Sequence, residues 1–204
     1  MMKVLVTAFE PFGKDSLNAS LEAVRRLPEE VAGAALIKRQ LPVAYNRAGE
    51  VLRLNIETIR PDIVLCTGQA GMSRRIRVEK VGLNWRAAKR PDNDGILYTG
   101  EKIFPEGETA YFATLPVEAI AEAIGAADIP VRVSYSAGTY VCNTVLYTLL
   151  AYLTEEHPET PGGFIHVPCC EGQAGIEPER PFMSLAEMTR ALSIAVRTAV
   201  EMWR

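Results

Sequence analysis

The sequence lacks several features that would each assign a class of function at once. None of its apolar runs reaches the roughly 18–20 residues needed to span a bilayer, so we expect no membrane partner. No lysine and arginine run stands out and the formal net charge is −3, so a nucleic-acid partner is not expected. The four cysteines, two of them adjacent at Cys169 and Cys170, do not form a disulfide framework. We therefore expect a reducing, cytoplasmic location, in which free thiols persist.

Only two histidines are present, which limits the side chains that could act as a base near neutral pH. His157 lies in a charged segment after an apolar helix and is interpreted as a solvated residue at the helix end. His166 lies at the end of the apolar strand G-F-I-H-V-P, where a core histidine and a site histidine are equally open interpretations. His166, Cys169 and Cys170 lack a second spaced ligand pair, so we predict no metal site.

The hydrophobic pattern predicts an α/β fold. A chain of 204 residues with 48% hydrophobic and 23% charged residues is ordinary for a globular protein, and we assign residues 1–204 to a single domain. Predicted strands cover 3–9, 35–43, 62–67, 76–81, 98–104, 131–135 and 163–167, and predicted helices cover 18–27, 46–59, 116–126, 140–154 and 184–203. The remaining segments, including 168–181, are predicted loops. This alternation favours layers of helices around a largely parallel sheet.

The stretch 131–153 indicates a nucleophile. It begins as a short β run, passes through the small residues 136–138, and continues as an apolar helix with Cys142 near its start. A thiol at a helix N-terminus faces unpaired N–H groups and the positive end of the helix dipole. Both favour the thiolate, which is the nucleophilic form. We therefore predict that Cys142 attacks a carbonyl carbon.

The predicted topology gathers other side chains around this thiol. Sites in parallel sheets lie beyond the carboxyl ends of the strands, and residues 9–12, 67–70, 135–142 and 166–168 all follow predicted strand ends, so we expect them to form one site. A Cys–His pair usually needs a third group that orients the imidazole. Glu79, in an apolar segment, is a candidate for that group, although a plain surface glutamate is the simpler interpretation of its position.

Several motifs, in order along nearly the whole chain, carry a resemblance to a known family. They are T-A-F-E-P-F-G, G-Q-A-G, R-I-R-V-E-K-V-G-L-N, P-D-N-D-G, S-A-G-T-Y-V-C-N and G-F-I-H-V-P. Together they resemble the pyroglutamyl peptidase I family, also called pyrrolidone-carboxylate peptidases. The resemblance implies a three-layer α/β sandwich with a twisted central sheet flanked by helices. It also implies a homodimer or homotetramer that uses no metal and no organic cofactor.

The family's chemistry falls on residues already singled out. The resemblance implies a triad of Cys142, His166 and Glu79 in a cysteine exopeptidase. Such an enzyme hydrolyses the amide bond after an N-terminal pyroglutamate (5-oxoproline) of a peptide, through a thioester acyl-enzyme. The resemblance thereby favours the interpretation of His166 and Glu79 as site residues.

The resemblance also implies the substrate contacts, with two departures. Phe9 and Phe12 correspond to aromatic contacts of the lactam ring, with ordinary core residues as the other interpretation, and Gln69 would serve the lactam edge through its side chain or backbone. Lys89 stands where the family usually has arginine, so the role of that arginine is either lost here or taken over by Arg90. Arg90 itself replaces an apolar residue of the family and is expected to alter one wall of the pocket. The alternative function is a catalytically impaired relative that binds pyroglutamyl peptides without turnover.

Overall fold

The structure is a computed structural model that describes residues 1–173 and 181–204. The helices are α1 (Ala19–Arg25), α2 (Tyr45–Ile59), α3 (Val117–Gly125), α4 (Val141–Glu156) and α5 (Leu185–Trp203). The strands are β1 (Met2–Phe9), β2 (Glu30–Val31), β3 (Ala34–Leu41), β4 (Ile63–Gln69), β5 (Ile76–Glu79), β6 (Val81–Leu83), β7 (Ala110–Phe112), β8 (Val131–Ser134), β9 (Gly162–Val167), β10 (Cys169–Cys170) and β11 (Phe182–Met183). Within these two ranges, no helix has the length and apolar character required to cross a membrane.

A mixed sheet of seven strands forms the centre of the fold, in the order β2-β3-β1-β4-β9-β5-β8. Strands β3, β1, β4 and β9 are parallel neighbours. Strand β5 pairs antiparallel with β9 and parallel with β8, and β2 pairs antiparallel with β3. The prediction of a largely parallel sheet is confirmed.

The reversed direction of β8 corrects one prediction. We expected residues 135–142 to follow a strand whose carboxyl end lies at the same edge as those of β1, β4 and β9. Because β8 runs antiparallel to β9, its carboxyl end points toward the opposite edge. The loop after β8 therefore has to turn back before α4 begins, and this return brings Cys142 over the sheet.

Helices cover both faces of the sheet, which makes the predicted three-layer sandwich. Side chains alternate along β1, so that Val4 and Val6 belong to a core shared with α1, α3 and α5. Leu5 and Phe9 belong to a second core shared with α2 and α4. Helix α4 is buried along most of its length, which accounts for its almost continuous apolar sequence.

Local capping signals explain where two of the helices begin. The Asn18 side chain accepts a hydrogen bond from the backbone N–H of Ser20 at 3.0 Å and caps α1. Ser184 and Glu187 form the reciprocal capping box at the start of α5 that their spacing predicts.

The predicted strand at 98–104 is wrong. Residues 86 and 101 form only an isolated bridge, and the strand of this region is β7, which pairs with β6. Asn84 provides the physical reason, since its side-chain oxygen accepts from the backbone N–H groups of Ile103 and Phe104 at 2.8 and 2.9 Å. A side chain thus satisfies backbone groups that a strand would have paired.

The predicted loop at 168–181 is also partly wrong. It contains β10 and a 3₁₀ turn at Glu171–Gln173, and β10 pairs in parallel with β11. Residues 174–180 of that prediction lie outside the described residues.

Candidate functional site

A cavity of about 950 Å³ opens where the carboxyl ends of β1, β4 and β9 meet the N-terminus of α4. Seven of the predicted site residues line it: Phe9, Phe12, Gln69, Lys89, Arg90, Cys142 and His166. The eighth, Glu79, is fully buried and contacts His166. The structure therefore brings all of the predicted side chains to one place.

Cys142 is the second residue of α4, and its sulfur lies over β4. A methyl group added at Gly68 would come within 3.0 Å of Sγ and 2.8 Å of Cζ of Phe164. Only glycine at position 68 therefore leaves room for the thiol and the aromatic ring together.

Burial raises the pKa of the Cys142 thiol to about 12, and the negative charge of Glu79 acts in the same direction. A backbone hydrogen bond at Cys142 and the charge of Arg77 oppose this shift but are weaker. Desolvation therefore exceeds the effect of the helix terminus, which by itself favours the thiolate. A neutral thiol has to lose its proton to a base as it attacks.

The pairing of β5 with β9 places a carboxylate, that of Glu79, beside the candidate base, His166. Glu79 lies opposite Phe164 in the β5–β9 pair, and His166 lies two residues further along the same face of β9. Nδ1 of His166 lies 2.8 Å from Oε1 of Glu79, and both side chains are buried. Since a carboxylate only accepts, Nδ1–H donates this bond, and Nε2 is left with the lone pair that can accept a proton.

Arg77 is a member of the site that sequence analysis missed. It lies directly opposite His166 in the register, and its Nε is 3.2 Å from Oε1 of Glu79. Its Nη2 donates to Oγ of Ser134 at 2.9 Å and to the carbonyl of Ser136. Arg77 thus ties the buried carboxylate to the loop that returns to Cys142. The two-residue spacing of Arg77 and Glu79 on one strand was the available signal.

The irregular segment after β6 forms one wall of the cavity because side chains near Cys142 hold it. The Thr139 hydroxyl donates to the carbonyl of Ala87 at 2.6 Å, and the backbone carbonyl of Thr139 accepts from the N–H of Ala87 at 3.0 Å. The Tyr140 hydroxyl donates to the carbonyl of Pro91 at 2.9 Å. These contacts place Lys89 and Arg90 at the cavity, although no pattern of periodicity indicated it.

Asn143, the residue after Cys142, anchors the start of the same wall. Its side chain accepts from the N–H of Leu83 at 3.0 Å and donates to the carbonyls of Leu83 and Trp85, both at 2.9 Å. It is completely buried. A polar residue inside an apolar helix was the signal that sequence analysis passed over.

The aromatic side chains combine the two roles considered for them. Phe9 is 2% exposed and packs in the core with its ring 6.4 Å from that of Phe164, yet it also lines the cavity. Phe12 is half-buried, and the guanidinium of Arg90 lies 5.0 Å from the centroid of its ring. The buried ring of Phe9 and the half-buried ring of Phe12 therefore form an apolar part of the cavity lining.

The side chain of Gln69 is hydrogen-bonded to Ala19 and Cys169. Its Oε1 accepts from the N–H of Ala19 at 2.8 Å, and its Nε2 donates to Sγ of Cys169 at 3.3 Å. The side chain is thus engaged with the start of α1 and with β10. In the part of the chain that the structure describes, no group of three or more His, Cys, Asp or Glu side chains is arranged to hold a metal ion.

Comparisons with known proteins identify one family. The sequence profile of the pyroglutamyl peptidase family matches residues 2–202. The chain belongs to that family. A pyrrolidone-carboxylate peptidase from Thermococcus onnurineus is 49% identical over 201 residues, covering 98% of this chain and all of the relative. One from Lactobacillus johnsonii is 43% identical, covering 98% of this chain and 93% of the relative.

Solved structures of the family confirm the fold. The crystal structure of pyroglutamyl peptidase I from Bacillus amyloliquefaciens superimposes with a TM-score of 0.94 at 40% identity, covering 98% of both chains. A pyrrolidone carboxyl peptidase from Thermococcus litoralis gives a TM-score of 0.93 at 38% identity, covering 98% of this chain and 94% of that one. The chain is accordingly an enzyme, a hydrolase of the peptidase class.

Proposed function

We propose that this peptidase is a cysteine exopeptidase that hydrolyses the amide bond after an N-terminal pyroglutamate through a thioester acyl-enzyme. The observation that carries the proposal is the buried His166–Glu79 pair, joined at 2.8 Å, in the wall of a cavity that Cys142 also lines. The names of its relatives, pyrrolidone-carboxylate peptidases, support pyroglutamyl peptides as the substrate class.

The acylation step follows from the protonation states. Because the Cys142 thiol is neutral at rest, its proton passes to Nε2 of His166 while the sulfur bonds to the pyroglutamyl carbonyl carbon. The resulting imidazolium is stabilised by the carboxylate of Glu79. Collapse of the tetrahedral intermediate breaks the C–N bond, and the imidazolium gives its proton to the leaving amine.

The deacylation step uses the same groups in reverse. His166, now neutral, takes a proton from water as the water oxygen attacks the thioester carbonyl. The C–S bond then breaks, the sulfur regains the proton, and pyroglutamate leaves as the free acid. Backbone N–H groups at the start of α4 are the donors available to the oxyanion, a contribution often worth about 3–4 kcal/mol for a single donor.

The lining of the cavity supports selection for a neutral lactam. Among the residues that the structure describes, no aspartate or glutamate side chain lines the cavity. An ordinary N-terminal ammonium would therefore enter without a carboxylate partner, which is costly in a partly apolar site. The lactam carries no charge, and Phe9 and Phe12 offer apolar contacts to its ring. Gln69 remains a candidate contact for the lactam edge through its backbone, since its side chain is engaged elsewhere.

The test is release of a fluorescent amine from a pyroglutamyl amide, measured beside a prolyl amide and a glutamyl amide. We expect turnover of the pyroglutamyl compound alone, and its loss in Cys142→Ala. Cys170→Ala is the matched control, because Cys170 is a buried thiol that does not line the cavity. Intact mass measured after rapid acid quench should show the pyroglutamyl group on the wild type only. Binding without turnover by the folded wild type would instead establish the impaired relative.

We further propose a cytoplasmic location and a homodimeric or homotetrameric assembly. All four cysteines are free thiols, which supports a reducing compartment. Light scattering coupled to size exclusion measures the assembly directly, and a monomer at micromolar concentration would refute that part of the proposal.

A further inference from the structure

The cavity around Cys142 has an uneven charge lining. Three cationic side chains, those of Arg77, Lys89 and Arg90, lie in its wall. Arg77 is balanced by Glu79 at 3.2 Å. In the described ranges, Lys89 and Arg90 have no carboxylate within ion-pairing distance, and both are exposed. The uncompensated positive charge therefore lies at the mouth of the cavity rather than at its buried end.

Asp92 and Asp94, the acidic residues that follow Arg90 in the chain, hold other groups and do not pair with Lys89 or Arg90. The carboxylate of Asp92 is buried and accepts from the backbone N–H groups of Tyr45, Asp94 and Ile96 at 2.7–3.0 Å. Asp94 forms a two-pronged pair with Arg47 at 2.6 and 2.7 Å.

Glu10, which directly precedes Pro11, also holds other groups and does not pair with Lys89 or Arg90. Its Oε1 accepts from the N–H of Val43 at 3.0 Å and from the amide of Asn93 at 2.9 Å. Among residues 1–173 and 181–204, Lys89 and Arg90 are thus the cations of the cavity wall that no carboxylate pairs with directly.

Arg90 is exposed, but its guanidinium packs against two aromatic rings of the site. Its Cζ lies 5.0 Å from the ring centroid of Phe12 and 5.5 Å from that of Tyr140. Tyr140 is in turn bound to the carbonyl of Pro91 and precedes Cys142 by two residues. Contact with two aromatic rings restrains a guanidinium and leaves N–H groups at its edge for a carboxylate.

We propose that Lys89 and Arg90 select substrates that carry negative charge on the leaving side of the scissile bond. The preferred substrates are pyroglutamyl peptides whose second residue is aspartate or glutamate, and pyroglutamyl dipeptides whose free C-terminal carboxylate lies one residue away. This inference rests on the proposed exopeptidase function. In that function the pyroglutamyl ring enters the cavity, and the rest of the peptide passes the cavity mouth. Each accessible ion pair of this kind changes a binding ratio by about twofold to fivefold.

The experiment compares three peptides that differ only in the residue after pyroglutamate: glutamate, glutamine or lysine, each with a blocked C-terminal amide. Glutamate and glutamine have nearly the same shape, so their ratio of kcat/KM reports charge alone. At low salt we expect the order glutamate, glutamine, lysine, with the glutamate peptide about threefold to tenfold better than the glutamine peptide. The ratio should shrink toward one in 1 M salt, because exposed charges are screened.

Matched variants assign the selection to this wall. In Lys89→Gln/Arg90→Gln, the glutamate to glutamine ratio should fall to about one. The control is Arg190→Gln/Arg197→Gln, which removes the same charge from exposed positions on α5 outside the cavity lining and should keep the wild-type ratio.

The outcomes separate the two proposals. If none of the three peptides is cleaved by folded wild type, the exopeptidase function itself fails. If all three are cleaved equally, or the lysine peptide is preferred, the function stands and the charge selection is refuted. A loss of the ratio in the α5 control would also refute it, because the effect would then arise from net charge.

Discussion

Replacing Glu79 by glutamine is the sharpest perturbation of the proposed mechanism, because it removes one charge and keeps the shape. The carboxylate is fully buried and lies 2.8 Å from Nδ1 of His166. Glutamine keeps an oxygen that accepts from Nδ1–H, so the orientation of the imidazole is largely retained. What is lost is the attraction between the carboxylate and the imidazolium that forms as Cys142 loses its proton.

The size of the loss follows from Coulomb's law. Two unit charges about 4 Å apart interact by about 4 kcal/mol at an effective dielectric constant of 20. Since the imidazolium is only partly formed in the transition state, about 2–4 kcal/mol of stabilisation is at stake. At 1.36 kcal/mol for each factor of ten, kcat/KM should fall by roughly 30-fold to 1000-fold. Arg77, left without its partner at 3.2 Å, would repel the imidazolium and favours the upper end of this range.

The assay pairs turnover of a pyroglutamyl amide with alkylation of Cys142 by iodoacetamide at pH 8. Glu79 raises the pKa of the Cys142 thiol, so its neutralisation lowers that pKa and alkylation should be as fast as in the wild type or faster. Turnover should nevertheless collapse. Glu118→Gln, which loses only a surface pair with Lys80, is the control and should behave as the wild type. A folded Glu79→Gln protein that keeps more than a third of the wild-type kcat/KM would refute the role of the acid.

Three further predictions concern the scaffold of the site. In Gly68→Ala, the added methyl group would lie 3.0 Å from Sγ of Cys142, so activity should fall at least tenfold and the free energy of unfolding by about 1–3 kcal/mol, measured by kinetics and urea denaturation. Asn143→Ala removes three hydrogen bonds to the backbone of Leu83 and Trp85 and should cost about 2–3 kcal/mol in the same denaturation. Burial raises the pKa of Cys66 from 9.0 to about 12, so the unfolded chain ionises first and the free energy of unfolding should fall from about pH 9 toward pH 12, by up to about 1.4 kcal/mol per pH unit.

Each of these has a control that the structure provides. Gly125→Ala adds a methyl group whose nearest neighbour is the Val131 side chain, at an ordinary 3.6 Å, so it should be nearly neutral; equal losses in both glycine variants would contradict the steric argument. Asn55→Ala removes one bond within α2 and should cost less than Asn143→Ala. In Cys66→Ala the alkaline slope should be shallower than in the wild type, and an unchanged slope would exclude Cys66 as its source.

Local sequence patterns were sufficient to predict where the helices lie. The five predicted helices exist within a few residues of their predicted bounds, because amphipathic spacing and caps such as Asn18 and Ser184 act over a few residues. Strand 98–104 was wrongly predicted because Asn84, which lies 19 and 20 residues before Ile103 and Phe104, binds their backbone N–H groups instead. Side-chain hydrogen bonds across such a separation leave no periodic trace in the sequence.

The sequence by itself determined which residues could carry the chemistry. The strand, small corner and apolar helix around Cys142 indicated a nucleophile, and the scarcity of histidine left His166 as the candidate base. Ordered motifs then indicated the family and, through it, Glu79. These signals are local, because a nucleophile, a capped helix and a short motif each depend on residues close in the chain.

Tertiary structure alone decided how those residues act on one another. The antiparallel β5–β9 pair sets the register that places Glu79 and Arg77 beside His166, and no local pattern specifies which strands become neighbours. The state of Cys142 was decided in the same way. Its position at a helix terminus favours the thiolate, but desolvation in the assembled fold, together with the charge of Glu79, raises its pKa to about 12. Burial and charge depend on residues distant in sequence, so their combined effect on this pKa became visible only in three dimensions.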